Sequence, residues 1–429
     1  MTRLPRLRSR RFRIWLVLLL VPALTVAAYL GLPALRAELR FRSAEKARKR
    51  RDFADARGIL LANLAADPTS ARDHFLLARV ARQSGAFEDA EEQLDLCKKW
   101  DGASPRVAFE RMLLSVQQGY FTRHTEVQLR GRIEQGDAES VEILEALSVG
   151  CLVTYRFADA LGYLSKWIEL TPGNFQAHVW RSMAKDRLSD THGARADAER
   201  AVALAPTNFS AQLRLGQTLL KSTAIQEAEK VFEQLAQHYP RDPLVAIGLA
   251  RAKSKVHPDG VEAARILDDL LTQFPDDSPV LLERGRLALQ MGETARAESW
   301  LRKAAELAPW EYQVQYTLLQ SLRQQGKLTD ADQVEETVRR LEEASHRLHE
   351  FNEKFKQEPY NPSNHCAIAR ILLEVGNHKE AVHWLQAALK IDSNQPLANL
   401  LLADYYAKRG EPGKAARYRE AALNPNGSG

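Results

Sequence analysis

Three cysteines in 429 residues are too few and too scattered to organise this chain. Cys97, Cys151 and Cys366 form no CxxC pair and their number is odd, which excludes a disulfide framework and a zinc knuckle. Cys97 reads as core filler. The sequence also lacks a phosphate-binding loop, a nucleophile elbow and an HExxH segment. The enzyme classes that depend on those motifs are therefore excluded, and no residue is assigned to catalysis, to a cofactor or to a metal. His346, His349 and Glu350 lie within about a helical turn, and His378 and His383 form a second loose pair. No further ligand is fixed by spacing in either place, so both read as solvated helix surface.

Long apolar runs are missing as well, with one exception. Residues 14–35 are 22 residues without a charge. As a helix they would span roughly 33 Å, close to the ~30 Å apolar core of a bilayer. Pro22 and Pro33 interrupt the run, which membrane helices tolerate. The segment is read as one N-terminal transmembrane helix. A signal peptide cut after Ala27 or Ala28 is the alternative, opposed by the apolar run continuing to Leu35. Six arginines and no acid precede the run, and eight basic residues with Glu38 and Glu45 follow it within 36–51. The positive-inside rule nearly ties. The tail is placed inside and the rest of the chain outside, as a single-pass protein of a bacterial inner membrane facing the periplasm.

Excess positive charge is absent from the remainder. The chain is +5 overall, yet residues 1–51 hold 14 basic and two acidic groups. The other residues therefore hold 46 basic against 53 acidic groups, a net −7. This argues against nucleic acid as the main partner. The basic flanks suit anionic lipid headgroups instead.

What the sequence does have is a beat. Its anchors are Ala56, Ala90, Ala160, Ala194, Ala228, Ala263, Ala297, Ala331, Ala381 and Ala415. The differences between successive anchor numbers are 34, 70, 34, 34, 35, 34, 34, 50 and 34. Four positions on comes an apolar side chain (Leu60, Leu94, Leu164, Phe232, Leu267, Leu301, Leu385), on the same helical face. Twelve on comes a helix-ending proline, such as Pro206, Pro240 and Pro309. Twelve before comes a small residue, such as Ala78, Gly216, Gly285 or Ala369, which permits close helix approach. Five before comes glycine at Gly85, Gly292, Gly326, Gly376 and Gly410, marking the turn between two helices. Trp167, Trp180, Trp300 and Trp384 fall inside these helices and read as packing residues rather than an aromatic cage.

This pattern resembles the tetratricopeptide repeat family, most clearly over residues 211–240 and 279–309, and covers about 43–423. The resemblance implies an all-α, right-handed superhelical solenoid of antiparallel helix hairpins, with first helices lining a concave face, that binds extended peptides or partner proteins. The doubled gap between Ala90 and Ala160 hides a degenerate copy near 105–140, with Gly119 at its turn and His124 in place of the alanine. Leu319 replaces a small residue and Glu335 an apolar one around Ala331. The array is placed at 36–328 and its last two copies at 359–424, before a short tail. If the family geometry holds, Arg187, Gln217, Lys221, Arg251, Arg286, Gln320 and Arg323 point into the groove. They make it basic and amide-rich, suited to an acidic or extended polar segment. The family's lysine-and-asparagine clamp for C-terminal carboxylates is not present in the sequence.

Between Ala331 and Ala381 the beat widens from 34 to 50, and no proline occurs in it before Pro359, which predicts one extended helix over 329–358. Val334, Val338, Leu341, Leu348, Phe351 and Phe355 stripe it. The stripe allows either a homodimer through 329–357, like a short coiled coil, or packing onto the chain's own array. The function expected is a non-catalytic, membrane-anchored scaffold for partner proteins. The alternative is an accessory subunit of an envelope enzyme system, for cytochrome maturation or for polysaccharide synthesis or export.

Overall fold

The computed structural model describes residues 35–423. The expected anchor over 14–35 therefore lies outside the described residues, apart from Leu35. Among the described residues no helix is long and apolar enough to cross a membrane. Regular structure there is helical throughout, in a repeat solenoid whose chain divides into two compact units at residues 115 and 116.

The first unit contains α1 (35–49), α2 (Phe53–Leu64), α3 (Ala71–Ser84), α4 (Phe87–Asp101) and most of α5 (Pro105–Gln117). The second continues with α6 (Arg123–Glu134), α7 (Ser140–Val153), α8 (Phe157–Leu170), α9 (Phe175–Arg187), α10 (Thr191–Leu204), α11 (Phe209–Lys221) and α12 (Ile225–His238). Then come α13 (Pro243–Val256), α14 (Val261–Gln273), α15 (Ser278–Gln290), α16 (Thr294–Leu307), α17 (Tyr312–Gln324) and α18 (Leu328–Gln357). The last are α19 (Pro362–Val375), α20 (His378–Ile391), α21 (Pro396–Lys408) and α22 (Pro412–Leu423). Successive helices pair as hairpins, α3 on α4, α9 on α10, α15 on α16 and onward.

Local chemistry cuts the chain into these pieces. Side chains that accept from the first free N–H groups open many helices: Asn208 Oδ1 takes the Ala211 N–H at 3.1 Å and Asp277 Oδ1 that of Val280 at 3.0 Å. Proline stands in the first turn of α13, α15, α19 and α21, where its missing N–H is harmless. Between hairpin helices the residue five before each alanine except Ala263 adopts a left-handed backbone; in that hairpin Gly260 does. Gly85, Gly292, Gly326, Gly376 and Gly410 do so without a steric penalty, but Arg51, Tyr155, Ser189 and Thr223 do so as well.

The alanines are the hairpin contacts. Ala56, Ala90, Ala160, Ala228, Ala297 and Ala381 are fully buried, and so are Leu60, Leu94, Leu164, Phe232, Leu267, Leu301 and Leu385 in their own repeats. Each such leucine or phenylalanine contributes about 1.5–3 kcal/mol by leaving water. The small residue twelve before the alanine makes room for it. A Cβ on Gly216 would come within 2.8 Å of the Phe232 ring, and one on Gly285 within 2.6 Å of Leu301 Cγ.

Helix α18 runs 30 residues because nothing interrupts it. Its apolar stripe is consumed within the chain. Val334 and Val338 join Leu318 and Leu322 in one cluster, while Leu348, Phe351 and Phe355 join Cys366, Ile368 and Trp384 in the next. Val338, Leu341 and Phe355 are buried. The seam that a twin helix would need is thus occupied by α17, α19 and α20, which removes the reason for a homodimer through 329–357. Glu335 leaves the core and pairs with Arg323 at 2.7 Å.

Candidate functional site

The residues expected to face the groove are largely committed to one another. Arg251 Nη2 lies 2.6 Å from Glu283 Oε2, and Arg286 Nη1 lies 3.9 Å from the same oxygen. Arg286 also donates to Gln313. Lys221 Nζ pairs with Asp186 at 2.6 Å, and Arg323 with Glu335. Arg187 lies over the Phe157 ring, 5.7 Å from its centroid. Gln217 is half-buried and Gln320 exposed, on α11 and α17. Arg251 and Arg286 are brought together, but around a shared carboxylate. Most of the basic character read from the sequence is therefore neutralised between neighbouring repeats, and these side chains do not assemble an open anion site.

The second unit assembles something else. The α7–α8 turn meets α19 and α20, which lie far downstream in the chain. Tyr155 Oη donates to Glu380 Oε1 at 2.6 Å, and its ring stacks on Trp384 with centroids 6.1 Å apart and planes 12° apart. Arg156 Nη1 donates to Tyr360 Oη at 2.7 Å. Tyr120 Oη lies 2.9 Å from both His383 Nδ1 and Gln386 Oε1. Burial pushes the Tyr120 phenol up to about 12. Burial and the Glu380 carboxylate push the Tyr155 phenol up as well, so both remain protonated donors at neutral pH. The two histidines shift the other way. Burial lowers His383, and burial against Phe355 and Trp384 lowers His365 to about 4.

A cavity of about 440 Å³ opens beside this junction. Trp310, Glu311 and Tyr312 at the start of α17 form one wall, and Asn377, Glu380 and Trp384 of α20 and its cap another. Tyr155, α18 with His349, and Ile368, Leu372 and Val375 of α19 complete it, and neither lysine nor arginine lines it. Asn377 caps α20 and donates from Nδ2 to Glu380 Oε2 at 2.8 Å. Glu380 thus accepts from two neutral donors, and neither it nor Glu311 has an ion pair among the described residues. A second cavity of about 620 Å³ differs in kind. Its Arg156 is held by Glu126 at 3.1 Å and Asp159 at 2.7 Å, and Arg123, Arg130 and Lys166 line it as well.

Sequence reasoning placed Trp384 in the core, where it is, but missed the cavity. One signal was available: Tyr155 stands where five other copies carry glycine. A bulky residue in a left-handed turn slot is strained by about 1–2 kcal/mol; Arg51, Ser189 and Thr223 share that backbone, and Tyr155 differs from them in being aromatic.

Two models described as tetratricopeptide repeat match the chain, one over 188–252 and one over 41–103, 262–311 and 366–429, together more than half its length. No curated protein matches it. Among solved structures, the human IFIT1 dimer with m7Gppp-AAAA is similar at 15% identity and a TM-score of 0.44, over 84% of this chain and 91% of its own. A tetratricopeptide repeat protein from Parabacteroides merdae is similar at 15% identity and 0.38, over 67% and 99%. A thermophilic one from Thermus thermophilus is similar at 18% identity and 0.31, over 58% and 100%.

Proposed function

Because this chain belongs to the tetratricopeptide repeat family, whose members serve in general as protein-interaction scaffolds, we propose that it is a membrane-anchored scaffold that holds a partner protein beside the bilayer. The supporting observation is the cavity at the α7–α8 and α19–α20 junction. Its aromatic walls and the Glu380 carboxylate, held by Tyr155 and Asn377, are already ordered by the fold, so little freedom is lost there on binding. The uncharged run over 14–35 supports the anchor, and tethering raises the local concentration of a modest binder. The reading assigns the chain no catalytic step.

Fractionation of native cells tests it. The full-length chain should sediment with membranes, resist extraction by high salt and alkali, and co-purify in detergent with a defined protein. Deletion of residues 14–35 should release the chain from the membrane. A full-length chain that washes off in salt, or that purifies without any protein partner, would sink the proposal.

A further inference from the structure

We propose that the cavity beside Tyr155 and Trp384 receives a lysine or arginine side chain carried by an extended segment of a partner protein. This rests on the scaffold reading above and gives it a ligand chemistry.

Charge is the first argument. Glu311 and Glu380 both line the cavity, neither lysine nor arginine does, and His349 of α18 is the one histidine in its lining. Elsewhere on this array many cations pair with a carboxylate, as in Arg251 with Glu283, Lys221 with Asp186 and Arg302 with Asp330. Both carboxylates lie near helix N-termini, Glu311 just before α17 and Glu380 in the first turn of α20. Each N-terminus supplies roughly half a positive charge and each carboxylate a full negative one. The net field is therefore negative. An acidic ligand would meet two like charges, and a purely apolar one would desolvate them without return. A cation answers both.

The second argument is aromatic content. Trp310, Tyr312, Tyr155 and Trp384 contribute rings to one cavity. Aromatic faces attract ammonium and guanidinium groups and also cover their aliphatic stems. The cavity volume falls within the roughly 300–1,000 Å³ of pockets that enclose organic groups, ample for one long cationic side chain with its flanking backbone.

The third is the strain at Tyr155. The left-handed turn would be relaxed with glycine, yet tyrosine is kept there. Its ring stacks on Trp384, which is buried behind it, and its hydroxyl fixes Glu380, the carboxylate a bound cation would use.

Fluorescence polarisation with the full-length chain in detergent tests the proposal. One probe is a dye-labelled, end-capped dodecapeptide of glycine and serine with three arginines; the other replaces the arginines with glutamates. The arginine peptide should bind saturably and the glutamate peptide should not. E311Q/E380Q should weaken binding by about tenfold or more, the scale of one lost ion pair with its cation–π contact. The charge-matched control E306Q/D332N, on exposed residues outside the cavity, should change it less than about twofold, within the measured scatter of exposed charges. Should Glu380→Gln loosen the fold, Glu311→Gln alone still applies, because Glu311 is exposed and its side chain does not cap α17. Failure of the arginine peptide to bind, unchanged affinity in E311Q/E380Q, or equal losses in both double variants would overturn the proposal. If the native partner still co-purifies with E311Q/E380Q at the wild-type level, the scaffold reading stands and the cationic pocket falls.

Discussion

At the scale of single residues, Tyr155 carries the most information. Its backbone is unfavourable for any side chain, and its side chain makes the stack on Trp384 and the bond to Glu380. Tyr155→Gly should therefore act in two directions. The turn gains about 1–2 kcal/mol by relief of the left-handed conformation, while the junction loses a charge-assisted hydrogen bond worth about 1.5–3 kcal/mol. Hydrogen exchange should show faster exchange over 378–384 with the α7–α8 hairpin unaffected or better protected. Uniform loss across both would mean that Tyr155 is only a packing residue. In the first unit, Glu110 lies buried between Arg82 at 2.6 Å and Arg79 at 2.8 Å. Burial alone would raise its carboxyl, but the two guanidiniums hold it below the ordinary value. Glu110→Gln removes the carboxylate bonded to both buried guanidiniums and should destabilise the first unit by about 3–5 kcal/mol, as broken buried pairs do. Denaturant unfolding measures this, and a loss below about 1 kcal/mol would show that water reaches the site.

At the scale of elements, α18 and the hairpin after it form one cluster built on Phe355, Trp384 and His365. His365 Nδ1 donates to the Asn361 carbonyl at 3.1 Å, and burial holds the ring at about 4 against an ordinary 6.5. Burial is the largest cause, the Asn361 hydrogen bond opposes it, and His383 lowers the ring further. A depressed histidine favours the folded state when neutral, so its contribution is complete above pH 6.5 and is lost as pH falls from 6.5 towards 4. The size is on the order of 3 kcal/mol. His383 is lowered too, in the same sense, with Tyr120 and Glu380 facing it. Thermal melts at pH 7 and pH 4.5 should show this loss in the wild-type chain and a much smaller one in His365→Phe. Equal acid sensitivity in the two would place the effect elsewhere. The elements themselves were legible because they follow from local rules. The beat of alanine, the apolar residue four on and the small residue twelve before each meet in one hairpin, inside a single repeat of the sequence. The long helix was legible for the same reason, through the missing proline. The site was not. Which groove cations are neutralised depends on neighbours in the adjoining repeat, as with Arg251 on Glu283 and Lys221 on Asp186. The cavity depends on Tyr155 meeting Glu380, many repeats further on, and no periodicity reaches that far.

At the scale of the whole molecule, the account is of a tether followed by repeats, in which one junction offers an acceptor for a partner segment. The net −7 of residues 52–429 suits a basic partner, and the basic flanks of 14–35 suit anionic lipid, so the two ends of the charge distribution serve different contacts. The measurement that reaches the central claim most directly is site-specific photo-cross-linking in native cells. A photoreactive residue is placed at Tyr312, on the cavity wall, and in a second strain at Val261, which is 62% exposed and outside it. The account predicts a discrete protein adduct from position 312, suppressed by the arginine dodecapeptide in isolated membranes, and none from 261. No adduct at 312, or the same adduct from both positions, would contradict it.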